Sequence, residues 1–160
     1  TTGGGGRRGG CWWESRAVQV FAGRFEYAMD ERGRVPVPPR YRNAFTEEAW
    51  LNEGPDSCLR LFTGESFQRE AQLYTSKPST EQEGREDRRD FFANCMAVEL
   101  DRQGRILIPG PMRTYASLEN AVIVAGTGEW LEIWNPRRFA DAMAKRRQPA
   151  PASRRRRGPS

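Results

Sequence analysis

Between Met96 and Asp101 apolar and polar positions alternate, with Met96, Val98 and Leu100 on one side and Ala97, Glu99 and Asp101 on the other. That is the period of a half-buried strand. It runs into an Asp-x-x-Gly-Arg turn and then a short apolar run, "RILIP", Arg105–Pro109. The same order stands earlier in the chain: a strand over Phe21–Met29, the turn, and "RVPVP", Arg34–Pro38. Gly33 and Gly104 supply the positive φ that a hairpin turn requires. Pro38 and Pro109 end the apolar runs and open short helices, "PRYRNAF" and "PMRTYAS". Further strands are predicted at Cys58–Phe62, Ala121–Ala125 and Trp130–Trp134, with "GTGE" (Gly126–Glu129) as the hairpin between the last two. A helix closes each unit. In the last one Asn135 is the N-cap, Pro136 lies in the first turn, and Phe139 and Met143 share a face.

The pattern is an internal repeat. Aligning Asp30 with Asp101 also aligns Gly33 with Gly104, Arg34 with Arg105, Pro38 with Pro109 and Arg42 with Arg113. Met29/Leu100, Val35/Ile106 and Val37/Ile108 match in kind. At an offset one residue larger, "LRLFTGESF" (Leu59–Phe67) matches "LEIWNPRRF" (Leu131–Phe139). Two blocks in one order at nearly one offset imply two units of about 70 residues. The expected organisation is a leader at 1–19, a first repeat at 20–77, a connecting helix at 78–95, a second repeat with its closing helix at 96–147, and a tail at 148–160. Thr80 and Glu83 have capping-box spacing for the connecting helix, and Gly84 costs it about 1 kcal/mol relative to Ala. The leader "TTGGGGRRGG" lacks both an initiating Met and apolar surface. It reads as unstructured or as an over-extended gene start. The Pro-rich, basic "QPAPASRRRRGPS" reads as a flexible arm.

Charge changes the picture only locally. The chain of 160 residues has a net charge of +5. Lys145–Ser160 carries +7 and residues 1–19 carry +2, which leaves Val20–Ala144 at −4. A basic footprint for nucleic acid therefore belongs to the tails unless local clusters supply one. No histidine is present, which removes the commonest general base and metal ligand, so neither a Ser-His-Asp triad nor a His-bearing zinc site can be built. The three cysteines, Cys11, Cys58 and Cys95, fit no disulfide framework. No apolar stretch reaches the ~20 residues of a membrane helix, and no signal peptide is visible, so a cytoplasmic setting is expected.

The turns gather arginine: Arg32, Arg34, Arg40 and Arg42 in the first repeat, Arg102, Arg105 and Arg113 in the second. Arg is planar, always charged, and bonds bidentately to phosphate or to the O6/N7 edge of guanine. One Asp-Arg turn alone is ordinary solvated hairpin chemistry. Two equivalent basic turns can face a repeated ligand such as DNA. Glu99 and Asp101 share a strand face, but no nucleophile, pocket or phosphate-binding loop accompanies them, so no catalytic residue, cofactor or metal is expected.

"FAGRFEYAMDERGRVPVPPRYRNAF", "AVELDRQGRILIPGPMRTYASL" and "VIVAGTGEWLEIWNP" together resemble the MraZ family of bacterial transcriptional regulators, over roughly residues 20–145. The resemblance rests on both Asp-x-x-x-Arg motifs and on the "EIW" strand at Glu132–Trp134. It implies an α+β, β-rich fold: tandem AbrB-like half-domains interlocked as a swapped-hairpin β-barrel, with short flanking helices. It implies a homo-oligomeric ring of eight or twelve subunits that binds double-stranded DNA at promoter direct repeats of the division and cell-wall gene cluster, and association with the nucleoid. It carries DNA contact to Arg34 and Arg105, with Arg32, Arg42 and Arg113 beside them. Asp30, Gly33, Asp101 and Gly104 support the turns. The family's usual start falls near Val20, so both arms lie outside its body. One further departure stands out. Pro36 sits where the second repeat has Leu107, in a position that suits only an edge strand or a non-bonded site. Two copies in one chain also depart from the alternative AbrB-type antitoxin, which usually carries one. A ring-forming, nucleoid-associated structural protein is the other alternative.

Overall fold

The computed structural model describes residues 19–147, and the expected leader and basic tail lie outside them apart from Gln19. Eight strands and four α-helices form a mixed α+β fold with antiparallel pairing throughout. In chain order these are β1 (Arg24–Ala28), β2 (Arg34–Pro36), a 3-10 helix (Pro39–Phe45), β3 (Ala49–Glu53), β4 (Leu59–Thr63), α1 (Gly64–Thr75), α2 (Gln82–Ala93), β5 (Cys95–Val98), β6 (Arg105–Leu107), α3 (Gly110–Ala116), β7 (Ala121–Gly126), β8 (Leu131–Trp134) and α4 (Pro136–Arg147).

Six strands make one sheet in the order β1-β7-β8-β4-β3-β5, and β2 pairs with β6 in a separate ribbon. The order exchanges strands between the repeats. β1 of the first repeat pairs with β7 of the second, and β5 of the second pairs with β3 of the first. β4 and β8 meet at the centre, with Leu59 opposite Ile133 and Leu61 opposite Leu131. The ribbon obeys the same approximate two-fold: Arg34 faces Leu107 and Pro36 faces Arg105, about a central Val35–Ile106 pair.

One face of the sheet and the ribbon share the main core. Val35, Val37, Ile106 and Ile108 from the ribbon pack with Leu51, Leu59, Leu61, Val122, Val124, Leu131 and Ile133 from the sheet. Each such buried aliphatic side chain contributes about 1.5–3 kcal/mol. On the opposite face, Ile123, Ala125 and Trp134 meet Phe139 and Ala142 of α4. Phe62, Phe67 and Phe91 form a third cluster with Trp50, Tyr74 and Trp130 beneath α1 and α2. α1 starts with reciprocal capping, in which the Ser66 N–H donates to Thr63 Oγ1 and the Thr63 N–H donates to Ser66 Oγ, each at 3.0 Å. Asn135 caps α4 as the sequence predicts, accepting from the N–H groups of Arg137 and Arg138 at 2.8 and 3.1 Å.

Several expectations need correction. β3 was not foreseen, because "AWLNE" shows no alternation and contains Asn and Glu, both poor strand formers. Its Asn52 is buried and accepts from Arg60 Nε and Nη2 at 3.0 and 2.7 Å. Arg60 is only 7% exposed, pairs with Glu70 at 3.1 Å, and lies 5.1–5.9 Å from the ring centroids of Phe62, Phe91 and Trp130. The Thr80–Glu83 box does not form: α2 begins after Glu81 without a side-chain cap. Gly84 is a spatial requirement, since a Cβ there would collide with the Pro78 carbonyl oxygen. The expected strand Phe21–Met29 is shorter, and Phe21 makes only an isolated bridge to Gly128. Met96 is 44% exposed although Val98 and Leu100 pack against the core, on a β5 that lies at the edge of the sheet. The Asp-x-x-Gly-Arg bends are not hairpins between paired strands: β1 and β2 leave the bend for different sheets.

Pro36 finds its explanation in register. The Ile108 N–H donates to the Gly33 carbonyl at 2.8 Å and the Val37 N–H to the Gly104 carbonyl at 2.9 Å. Antiparallel pairs alternate between bonded and non-bonded, so Pro36 opposite Arg105 occupies a non-bonded site that needs no N–H. Pro36→Leu, which copies the second repeat, should therefore change unfolding free energy by no more than about 1 kcal/mol. Ile106→Pro, at the central bonded pair, should cost about 3 kcal/mol or more. Chemical denaturation measures both, and a large loss from the Pro36 variant would contradict this register.

Candidate nucleic-acid interface

Each bend is built on its aspartate. Asp30 Oδ1 accepts from the N–H groups of Arg32 and Arg34 at 3.0 and 2.8 Å, and Asp101 Oδ1 accepts from those of Gln103 and Arg105, both at 2.9 Å. The other carboxylate oxygen holds the arginine: Arg34 Nε lies 2.8 Å from Asp30 Oδ2, and Arg105 Nε lies 3.0 Å from Asp101 Oδ2. Gly33 and Gly104 have φ of +90° and +78°, a conformation that side chains with a Cβ resist. The sequence-predicted turn residues thus perform the same local task twice.

The structure also brings the two bends together. The Gly33 and Gly104 carbonyls each accept from the opposite ribbon strand, so each bend is fastened to the other repeat. Arg105 Nη1 reaches across to Asp30 Oδ2 at 3.4 Å. The two outer arginines cross over as well. Arg113 of the second repeat lies against Gly33, its Nη1 2.6 Å from where a Cβ would sit, and Arg42 of the first repeat lies against Gly104. Arg34, Arg105, Arg42 and Arg113 therefore converge on one surface, although they are spread over 80 positions of the sequence. Arg32 and Arg102 are exposed on the bends, and Arg40 leans over the Tyr41 ring at 5.6 Å. The cross-repeat contacts were not legible in the sequence, because they depend on the ribbon pairing and not on spacing within one motif.

Both aspartates have pKa values held below the ordinary carboxylate value. For Asp30 the Arg34 backbone N–H is the main cause, outweighing the burial that would raise it, and the Arg34 guanidinium adds to it. For Asp101 the Arg105 N–H leads in the same way. Among the described residues no three His, Cys, Asp or Glu side chains gather as a metal site, and no helix is long and apolar enough to cross a membrane.

Comparison with known proteins bears on this surface. A family model described as "MraZ protein, putative antitoxin-like" matches residues 20–90 and again 91–157. The chain is 42% identical over 121 residues to a protein of Thermomicrobium roseum named "Transcriptional regulator MraZ", covering 76% of this chain and 85% of that one. Proteins of the same name are similar at 35% identity in Roseiflexus castenholzii, covering 78% and 87%, and at 33% in Mycoplasmoides gallisepticum, covering 72% and 82%.

The depressed pKa values make the bends sensitive to acid. Their contribution is complete above the unfolded carboxylate value of about 3.9 and is lost as pH falls through the lower folded value. An NMR titration should give carboxyl midpoints for Asp30 and Asp101 below about 3.9. Midpoints at or above it would contradict the bonding described.

Proposed function

The chain belongs to the MraZ family, and from that premise we propose that it is a sequence-specific regulator of transcription that binds double-stranded DNA. In this reading it acts on direct repeats in the promoter of a division and cell-wall gene cluster, as a closed ring of identical subunits on the nucleoid. Residues 20–77 and 96–147 are its two AbrB-like half-domains, joined by 78–95 and interlocked as a swapped-hairpin barrel. It acts by binding and not by catalysis.

The observation that supports DNA contact most directly is the convergence of Arg34, Arg105, Arg42 and Arg113 on one surface of a chain body that is otherwise acidic. Phosphate contacts fix position, and guanidinium groups read guanine edges in the major groove. Arg32 extends the same bend. Asp30 and Asp101, with Gly33 and Gly104, hold the arginines in shape so that little side-chain entropy is lost on binding. A single subunit of net −4 over Val20–Ala144 binds weakly. A ring offsets this, because the second contact with an adjacent DNA repeat becomes intramolecular.

A closed ring of identical subunits needs a head-to-tail pair of complementary surfaces outside the bends. β5 is a free edge of the sheet, and Met96 and Leu107 are 44% and 55% exposed beside it. With Ala49, Val98 and Pro109 they line a groove flanked by Glu47 and Glu48. An open edge with exposed apolar side chains is a surface that proteins ordinarily cover. The family description "antitoxin-like" favours a second reading, in which the same fold acts as an AbrB-type antitoxin and neutralises a toxin. A toxin gene beside this one would favour it.

Electrophoretic shift titrations should show several phased repeats binding far more tightly than one, with affinity falling steeply as salt rises. Arg34→Ala combined with Arg105→Ala should abolish preference for the repeats. Leu107→Glu should lower the assembly mass in analytical ultracentrifugation and remove the advantage of multiple repeats. Equal affinity for one repeat and several, in a wild-type protein that sediments as a monomer, would refute the ring.

A further inference from the structure

The two bends match in sequence but not in bonding. Asp30 Oδ2 accepts from both Arg34 Nε and Arg105 Nη1, at 2.8 and 3.4 Å. The counterpart, an Arg34 contact to Asp101, is missing among the described ion pairs. Arg105 is therefore held by two carboxylates and Arg34 by one. The arginines behind them differ in the same sense. Arg42 Nε donates to the Val37 carbonyl at 2.8 Å, whereas Arg113 Nε is buried with no hydrogen-bond partner.

Counting donors shows what the difference does. Arg has five N–H groups in a fixed fork, and a bidentate guanine contact uses two that point the same way. Arg34 spends its Nε on Asp30 and keeps both terminal nitrogens unengaged among the described residues. It can approach a guanine end-on without giving up its anchor. Arg105 spends Nε on Asp101 and one of its two Nη1 protons on Asp30, so a guanine approaching end-on would compete with the Asp30 carboxylate at Nη1. A single phosphate oxygen needs no such sacrifice.

We infer that the two bends are unequal partners on DNA: Arg34 makes the base-specific contact, Arg105 is a phosphate clamp, and Asp30 is the positioning residue that holds both in register. This rests on the DNA-binding reading above. Lysine carries the charge for a phosphate but lacks the bidentate fork, so it separates the two roles. Asparagine keeps the oxygen that accepts the bend N–H groups, so Asp30→Asn retains the turn while releasing both Arg34 Nε and Arg105 Nη1.

The test uses the full chain and a duplex selected from random-sequence DNA by the wild-type protein, with single-base variants at each guanine. Fluorescence anisotropy gives the affinity ratio for each substitution. Arg34→Lys should lose about tenfold or more of the discrimination at one guanine position. Arg105→Lys should leave discrimination within about threefold of wild type, with its salt slope unchanged, because the phosphate contact persists. Asp30→Asn should weaken discrimination at that same guanine more than Asp101→Asn does, a difference that general loosening of equivalent bends would not produce. Equal losses from the two lysine variants, or equal effects of the two asparagine variants, would overturn the inference while leaving the DNA-binding reading intact. A wild-type protein that selects no sequence would overturn both.

Discussion

The arrangement depends on a reciprocal exchange of backbone hydrogen bonds at the centre of the molecule. The Gly33 carbonyl takes the Ile108 N–H and the Gly104 carbonyl takes the Val37 N–H, on either side of the buried Val35–Ile106 pair. The glycine carbonyl of each bend thus finds its partner in the other repeat. A short ribbon is marginal alone in water, but this one forms a wall of the main core. Its four apolar side chains are inaccessible to solvent once the sheet is in place. Burial of the ribbon and convergence of the arginines are therefore the same structural event. Any change that slips the ribbon by one residue would turn Val35 and Ile106 outward and separate the guanidinium groups.

The opposite face of the sheet is less symmetric. α4 covers the half built from β7 and β8, while α1 and α2 cover the half built from β3 and β4. The second cover includes a charged group, Arg60, among three aromatic rings, with Asn52 and Glu70 as its polar partners. A buried ion pair is a weak source of net stability, but it penalises wrong arrangements because a missing partner leaves a charge uncompensated. Arg88 adds a second tie, donating to the Thr75 and Lys77 carbonyls at 2.9 and 2.8 Å at the end of α1. The helical pair is thus fastened mainly to the first repeat, with Trp130 and the Arg69–Glu129 ion pair at 3.4 Å reaching it from the second, and the approximate two-fold of the ribbon stands beside an asymmetric exterior.

How much of this was legible in the sequence follows from what each element depends on. The bends were legible because Asp, Gly and Arg act locally, through an Asx-type cap and a positive φ. The strands flanking them were legible from alternation, and α4 from its Asn-Pro start. β3 was not, because both its faces are covered and its polar Asn52 is buried by a partner eight residues away on β4. The Thr80 signal missed by one residue: Glu81, not Thr80, is the N-cap, and it caps without a side-chain hydrogen bond. The convergence of Arg42 on Gly104 and Arg113 on Gly33 was out of reach, since a repeat in sequence says nothing about whether its copies pack side by side or exchange. Equivalence of the two bends, which the repeat suggests, fails at the second guanidinium hydrogen bond, which Arg105 makes to Asp30 and Arg34 lacks among the described residues.

The central claim is that both bends meet DNA together as one surface. Hydrogen–deuterium exchange of the full chain, with and without a duplex that it binds, tests it most directly. The account predicts that DNA slows exchange in the segments 29–38 and 100–109 in parallel, at the same DNA concentration, while 64–93 is unaffected. Protection confined to 64–93, or to one bend with the other unchanged at saturation, would contradict it.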